Sequence, residues 1–205
     1  MNKELEEKTA AAKHRLELIF ADTEKFIKTL SSDYQFSRDM LKRDSQDQML
    51  RRMTVRNFCA LVEGQTHQWK WMALLFYEYF EVPLTDSEVA MLREEIHDLN
   101  NKGEASSRHM NIPIQKNFKF GCAMFARVYG CEKMPDFKTL GWESVLKVFD
   151  VRNRLMHPKQ SKGVDVNDDE ILFLKEAAKW FSEIRSNLFN STNLDQVLEN
   201  CPSKN

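Results

Sequence analysis

Apolar positions along most of this chain recur every three or four residues, which is the period of an α-helix. Strand-like alternation between tight glycine turns is absent from the sequence. The predicted helices span approximately residues 2–30, 45–80, 85–99, 114–129, 141–156, 167–188 and 193–199. Polar loops are predicted at 100–107 and, as a mobile segment, at 159–165. The pattern predicts an all-α fold.

The first predicted helix carries a narrow apolar seam. Its positions alternate in steps of four and three: Ala12, Leu16, Ile19, Thr23, Phe26 and Leu30. A seam of this width suits contact with one neighbouring helix, in the same chain or in a partner, better than immersion in a broad core. The polar run at 31–33 predicts that this helix ends there.

Capping residues mark the ends of three later helices. Thr85 and Glu88 have the spacing of a capping box, in which each side chain bonds to the backbone N–H group of the other residue. Asn167 and Glu170 have the same spacing at the start of the last long helix. Gly130 stands where a helix from 114 would end, and glycine favours the left-handed conformation of a C-terminal cap.

Composition and charge fit an ordinary globular protein of one domain. The formal net charge of the 205 residues is −1, with 30% charged and 42% hydrophobic residues, so bulk charge does not predict a nucleic-acid-coated or disordered chain. We predict a single domain over 1–205. It would contain an N-terminal helix at 1–33 that offers a partner or dimer contact, a bundle at about 46–190, and a short helix and tail at 191–205.

Cysteine usage and the N-terminus predict a cytoplasmic protein. The cysteines have neither the spacing typical of metal ligands nor the density of a disulfide scaffold. They are Cys59, Cys122, Cys131 and Cys201. The N-terminal residues are charged where a signal peptide needs an apolar core, and no stretch has the apolar length of a membrane span. We therefore expect free thiols and no membrane association.

The candidate chemistry lies at 151–158, where an arginine interrupts an apolar helical stripe. At about 100° per residue, Arg152 falls at the centre of the stripe formed by Val145, Val148, Phe149, Leu155 and Met156. Burying an unpaired cation is costly, so the position predicts an acidic partner, a second subunit with polar groups, or a bound anion such as phosphate.

A histidine follows five residues later, next to a proline. On an unbroken helix Arg152 and His157 would point about 140° apart. Pro158 disfavours the helical conformation of the residue before it, so the helix should end near 156–157 and leave the imidazole in a turn. Histidine is suited to proton transfer near neutral pH, and arginine to holding phosphate.

Arg152, Asn153 and His157 form an Arg-Asn-x-x-x-His motif that resembles the signature of the HEPN superfamily. The resemblance implies an antiparallel helical bundle that commonly dimerises. It also implies a metal-independent endoribonuclease without a cofactor, of the kind found in defence and toxin systems. Those three residues would be catalytic, with a homodimer, an RNA substrate and an inhibitor protein as partners. Where many active members carry an aromatic residue two positions after the histidine, this chain has Lys159.

The resemblance assigns roles that agree with the side-chain chemistry. His157 would exchange a proton with the ribose 2′-hydroxyl or the leaving 5′-oxygen, and Arg152 would hold the phosphate. Asn153 would orient the histidine or the phosphate. One motif has one histidine, so two motifs facing each other across a dimer axis would supply acid and base together.

Two alternatives remain open for the motif. In the first, Arg152 pairs with an acid inside one subunit and His157 acts as a helix cap favoured by the helix dipole. The second is a non-catalytic interaction module that binds a partner protein, nucleotide or RNA. Arg154 is interpreted as structural or peripheral, because Asp150 lies one turn earlier and offers an exposed ion pair.

Supporting residues are predicted on the second long helix and after the motif. One side of that helix carries Arg52, Arg56, Glu63, His67 and Lys70. Glu63 is the candidate counter-ion of Arg152 and Arg56 would flank the motif, although a solvated charged face is the more common reason for such a pattern. A set of cations suited to an RNA backbone consists of Lys42, Arg43, Arg51, Arg52, Arg56, Lys159 and Lys162.

Overall fold

The computed structural model of the protein describes residues 3–80, 82–131 and 133–192. Over this part the chain is predominantly α-helical, as the hydrophobic period predicts. The elements are α1 (Lys3–Arg43), α2 (Gln48–Tyr79), α3 (Asp86–Arg93), β1 (Glu95–Leu99), β2 (Ala105–His109), α4 (Ile114–Val128), α5 (Leu140–Met156) and α6 (Asp168–Asn190). None of the helices in these residues is long and apolar enough to cross a membrane. The helix predicted at 193–199 lies outside the described residues.

The described chain divides into two compact units. The motif unit comprises Glu24–Gln65 and Pro135–Asn190, and contains α5 and α6. The hairpin unit comprises the described residues within 1–23, 66–134 and 191–205, and contains α3, α4 and both strands. Because α1 and α2 each contribute residues to both, no unit is a continuous piece of sequence. The single-domain organisation stays a prediction.

Helix α1 continues through 31–33, so the break predicted there is wrong. Hydroxyl side chains before and within the run bond back to carbonyl oxygens one turn earlier. Thr29 Oγ1 donates to Lys25 O over 3.1 Å, and Ser32 Oγ donates to Lys28 O over 2.9 Å. Hydroxyl groups satisfied in this way are compatible with a helix interior, and therefore do not mark an end.

The apolar seam predicted for this helix is partly described. The structure does not describe the side chains of Ala12, Leu16 and Ile19. Thr23 is buried, whereas Phe26 is 42% exposed. Ile27 takes the inner position because it lies one turn after Thr23 on the same face. In the described residues, the inward face thus differs from the predicted seam by one position.

The helix predicted to run to residue 99 ends at Arg93, and a hairpin follows it. Glu94 adopts the left-handed conformation, with φ of 56°, and β1 then pairs antiparallel with β2. Asn100 N–H donates to Glu104 O across the turn, where Gly103 has φ of 77°. The expectation of a polar loop and no strands is wrong here, because a turn with a left-handed glycine brings the two extended segments together.

The three predicted caps are confirmed. Thr85 Oγ1 accepts from Glu88 N–H over 3.3 Å, and Glu88 returns a bond to the Thr85 backbone over 2.9 Å. Asn167 and Glu170 form the same reciprocal pair over 2.9 and 3.0 Å. Gly130 has φ of 66° and follows Tyr129, the C-cap residue of α4. Each cap depends on a few neighbouring residues, which is why local sequence was sufficient to find it.

The core of the motif unit consists of four helical segments. Trp142 on α5 meets Trp180 on α6 with ring centroids 5.5 Å apart, and these two helices pack against each other. Tyr34 of α1 lies 5.5 Å from Phe58 of α2, which in turn lies 6.1 Å from Phe181 of α6. Aromatic pairs at these separations stabilise a core beyond the area that they bury. This packing fixes α5, and with it the motif.

Candidate functional site at the end of α5

Helix α5 begins and ends where the sequence predicts. Thr139 Oγ1 accepts from Trp142 N–H over 3.3 Å at its start. At the other end His157 leaves the helical conformation, with φ of −129° and ψ of 59°, while its N–H still donates to Asn153 O over 3.1 Å. The conformation agrees with the restriction that Pro158 imposes on the residue before it. The imidazole therefore lies in an exposed turn.

Arg152 lies at the rim of the apolar stripe and its side chain is 31% exposed. The prediction of a central position is therefore wrong, because the valines at 145, 148 and 151 and their neighbours Phe149 and Leu155 take the inner face. The guanidinium Nη2 donates to both carboxylate oxygens of Glu63 on α2, over 3.1 and 3.2 Å. The candidate counter-ion thus contacts Arg152 within one chain.

Burial determines the charge balance around Glu63. It raises the pKa of the Glu63 carboxyl group above its usual range, and the Arg152 guanidinium offsets part of this shift. One turn away, the Cys59 thiol is buried, and desolvation together with the Glu63 carboxylate raises its pKa. Since the thiolate is the reactive form of cysteine, Cys59 is a packing residue and not a nucleophile.

Asn153 contacts the arginine and not the histidine ring. Its Oδ1 accepts from Arg152 Nη1 over 3.1 Å, and the side chain is exposed. In the part of the chain that the structure describes, the His157 imidazole forms no hydrogen bond or ion pair with either residue. The structure thus brings together Glu63, Arg152 and Asn153, while the histidine is placed by its backbone.

The remaining supporting residues lie close to the end of α5. Arg56 Nη2 donates to the Leu155 carbonyl oxygen over 3.4 Å, so it binds one of the last carbonyl groups of the helix. Lys159 is exposed in the turn after Pro158. Both cations stand near the motif in sequence or space, and both keep solvent-accessible side chains.

Arg154 has a structural role, with partners that differ from the predicted one. Its Nη1 donates to the carbonyl oxygens of Gly163 and Asp165, each over 2.8 Å, and its Nη2 to Glu170 Oε1 over 2.7 Å. The expected ion pair with Asp150 is wrong, because the loop after α5 folds back as a 3-10 turn over Ser161–Val164. The sequence predicts that this loop is mobile. In the structure, Arg154 holds it against the start of α6.

The cations predicted to follow an RNA backbone do not form one solvent-facing set. Arg51 is buried, and its guanidinium binds the carbonyl oxygens of Ser45 and Val166 and the Asp168 carboxylate. Lys42 pairs with an aspartate on its own helix, and Arg52 Nη1 donates to Val164 O over 3.4 Å. The side chain of Lys162 is outside the description. Arg51 therefore does not contact an RNA backbone, because its guanidinium donors are used inside the chain.

Lys70 belongs to the hairpin unit, where a solvated position was expected. It is 1% exposed, and its Nζ donates to Glu94 Oε1 over 2.6 Å and to Asn117 Oδ1 over 2.9 Å. Desolvation lowers the pKa of this ammonium group, and the Glu94 carboxylate offsets part of the shift. His109 Nε2 lies 3.5 Å from the other oxygen of Glu94. Sequence spacing carried no signal for this cluster, because its four residues come from separate elements.

Among the described residues, no group of three histidine, cysteine, aspartate or glutamate side chains is arranged to hold a metal ion. What the end of α5 offers is a half-exposed guanidinium with a fixed carboxylate partner, and an exposed imidazole one helical turn beyond it. Comparison of the chain with models of protein families, with curated proteins and with solved structures gives no match.

Proposed function

We propose that the protein is a cytoplasmic, metal-independent endoribonuclease of the HEPN type, acting in defence or as a toxin, whose reaction is carried by Arg152, Asn153 and His157. The observation that supports the proposal best is the accessibility of both reactive groups at the end of one helix. The Arg152 side chain is 31% exposed while Glu63 and Asn153 hold its guanidinium, so a phosphate would meet a group that is already oriented.

The proposed reaction is an attack of the ribose 2′-oxygen on the adjacent phosphorus. His157 accepts the 2′-hydroxyl proton, the bond to the 5′-oxygen breaks, and a proton returns to that oxygen. The products are a 2′,3′-cyclic phosphate and a 5′-hydroxyl end, so no water, metal or cofactor is consumed. Arg152 neutralises charge that develops on the phosphate oxygens.

Glu63 has a positioning role in this proposal. Its two oxygens orient the guanidinium before substrate binds, and Asn153 supports the same group from the next position. A phosphate would approach the remaining exposed face of Arg152 and compete with the carboxylate for its charge.

A homodimer with facing motifs is part of the same proposal. A single imidazole cannot serve as base and acid in one step, whereas two copies of His157 across a symmetry axis would divide these roles. Met156, directly before the histidine, is 51% exposed and offers an apolar surface to a second subunit. An inhibitor protein or an RNA would meet the same end of α5.

The test is an RNA cleavage assay with purified protein in excess chelator. Single-stranded RNA should be cut to fragments ending in a cyclic phosphate, and the same sequence with 2′-deoxyribose throughout should remain intact. Cleavage of the deoxy substrate, or 5′-phosphate products, would overturn the proposed chemistry. An assay of the Arg152→Ala and His157→Ala proteins, alone and mixed, tests for a site shared by two subunits.

The second candidate is a non-catalytic interaction module. The ion pair between Glu63 and Arg152 favours it, since the cation is neutralised inside one chain without any substrate. In that case the exposed His157 is a cap at the helix terminus. The two candidates differ in one observable property, because the module binds a partner through this surface and leaves RNA uncut.

A further inference from the structure

A second site candidate is a cleft in the motif unit, away from the motif itself. It has a volume of about 1040 Å³ and lies between the later part of α1 and α6, with one face of α2 as its floor. From Ser31 to Ser45 on one wall, and from Asp168 to Arg185 on the other, it is roughly 20–25 Å long at the rise of an α-helix. Its length follows the helix axes.

The floor of the cleft is apolar and its aromatic rings are covered. Leu61, Ile171 and Leu174 line it together with Phe58 and Phe181, all of them buried members of the core. Each of these side chains is at most 9% exposed, so the apolar area that a ligand could cover on the floor itself is small.

One apolar residue at the edge of the cleft is exposed well beyond the floor residues. Leu172 lines the cleft and is 58% exposed, although its neighbours on either side are buried or half-buried. It stands at the rim, where a ligand lying in the cleft would cover it.

The walls carry more cations than acids. Lys175, Lys179 and Arg185 lie along α6, and Glu183 is the acid that accompanies them. Asp168, the other acid of the cleft, is already bonded to an arginine of α2. The surface is therefore complementary to a negatively charged ligand.

Arg185 differs from the two lysines of α6 because it is partly removed from water. It is half-buried, and its Nη1 donates to the Ser31 hydroxyl over 3.2 Å. Within the described chain no carboxylate pairs with it. A guanidinium partly removed from water and held by a neutral hydroxyl gains from an incoming carboxylate or phosphate.

Shape and side chains distinguish between two anionic ligands. An α-helix about 10 Å in diameter and 20 Å long has a volume of roughly 1,600 Å³, so the cleft accommodates most of such a cylinder. Single-stranded nucleic acid would need aromatic faces for base stacking. Here Tyr34, Phe58 and Phe181 are at most 8% exposed and offer no free face.

We propose that this cleft docks an amphipathic helix of a partner protein, with an aliphatic stripe on the floor and acidic residues facing Lys175, Lys179 and Arg185. This binding is independent of the proposed nuclease. The helix α2 presents Glu63 and Arg56 toward α5, and a different face, with Phe58 and Leu61, to the cleft. Loss of one activity would leave the other intact.

The test is a selection from a library of displayed helical peptides about 18 residues long, roughly 27 Å as a helix. The library is randomised at every position of the peptide, and peptides are selected for binding to the full-length protein chain. The selected peptides should share apolar residues at helical spacing flanked by Asp or Glu. The double variant Lys175→Glu/Lys179→Glu should weaken their binding by about tenfold or more, and more strongly at low salt.

Matched controls separate docking from folding. Leu172→Ser should weaken binding, whereas Leu18→Ser, at a residue 59% exposed on α1 outside the cleft, should not. Lys25→Glu, at a residue of α1 that does not line the cleft, should also leave binding unchanged. Peptides with neutral or basic flanks, or peptides that bind the charge-reversed variant equally well, would overturn the proposal. So would an empty selection, or an RNA oligonucleotide that binds through these lysines instead.

Discussion

Glu63 and Arg152 join α2 to α5 through one guanidinium nitrogen that donates to both carboxylate oxygens. The two residues are separated by 89 positions in the chain, and their side chains are 39% and 31% exposed. The pair orients the arginine at the end of α5 without burying it. In the proposed nuclease it is a device that positions the phosphate-binding group.

The pair should contribute modestly to stability, and its arginine should contribute strongly to RNA binding. A double-mutant cycle with Glu63→Gln and Arg152→Gln should give a coupling free energy of about 0.5–1 kcal/mol, because both side chains remain partly in water. Arg152→Lys should raise the KM for RNA, since an ammonium group lacks the two-pronged geometry. Urea unfolding measures the coupling. A coupling near zero would mean that the carboxylate does not hold the arginine.

The shifted pKa of Glu63 also predicts that the free energy of unfolding depends on pH. Its pKa is raised in the folded protein, so the folded state holds this proton more tightly than the unfolded state. The contribution is fully present below the unfolded pKa and is lost as pH rises through the higher folded value. The free energy of unfolding of the natural chain, minus that of Glu63→Gln, should therefore fall as pH increases from about 4. A difference that rises over this range would contradict the direction of the shift.

Glu88 should show the opposite dependence. The Arg127 guanidinium and the Thr85 backbone lower the pKa of its carboxyl group to about 2, below the usual 4.5. Stability from this charge is present above the unfolded pKa and is lost as pH falls from 4.5 toward 2. Glu88→Gln keeps the side-chain shape, so its deficit in unfolding free energy should be largest near neutral pH. The deficit should vanish near pH 2.

Arg154 should stabilise the loop after the motif. Arg154→Ala removes three hydrogen bonds, to two carbonyl oxygens and to Glu170, and should lower the free energy of unfolding by about 1–2 kcal/mol. Amide exchange should accelerate at 159–166. Arg93→Ala is the matched control, because its pair with Glu78 is exposed and 3.5 Å long, so its loss should cost less than about 0.5 kcal/mol. Equal losses in both variants would remove the special role of Arg154.

Local sequence was sufficient to predict features whose causes lie within a few residues. The capping box at Thr85, the glycine after α4 and the end of α5 before Pro158 each depend on neighbours in the chain. The contact of Glu63 with Arg152 was found in a different way, because an arginine near an apolar stripe requires a partner and helical spacing limits the choice.

Features that depend on tertiary contacts were missed. The hairpin after α3 has an exposed second strand without an apolar alternation, so its pairing left little pattern to read. The partner of Arg154 lies across a folded loop, and the burial of Lys70 depends on Glu94 and Asn117 from other elements. No sequence window contains both members of such pairs, which is why the nearest polar residue was a misleading guide.

In the proposed mechanism, His157 transfers a proton during RNA cleavage. The most direct measurement is the single-turnover cleavage rate of His157→Ala in chelator, with His97→Ala, at a residue whose side chain is 64% exposed on the hairpin, as the control. Loss of the catalytic imidazole should lower the rate by about a hundredfold or more at unchanged Tm, and His97→Ala should cut at the natural rate. Cleavage by His157→Ala at the natural rate would exclude His157 as the group that transfers the proton.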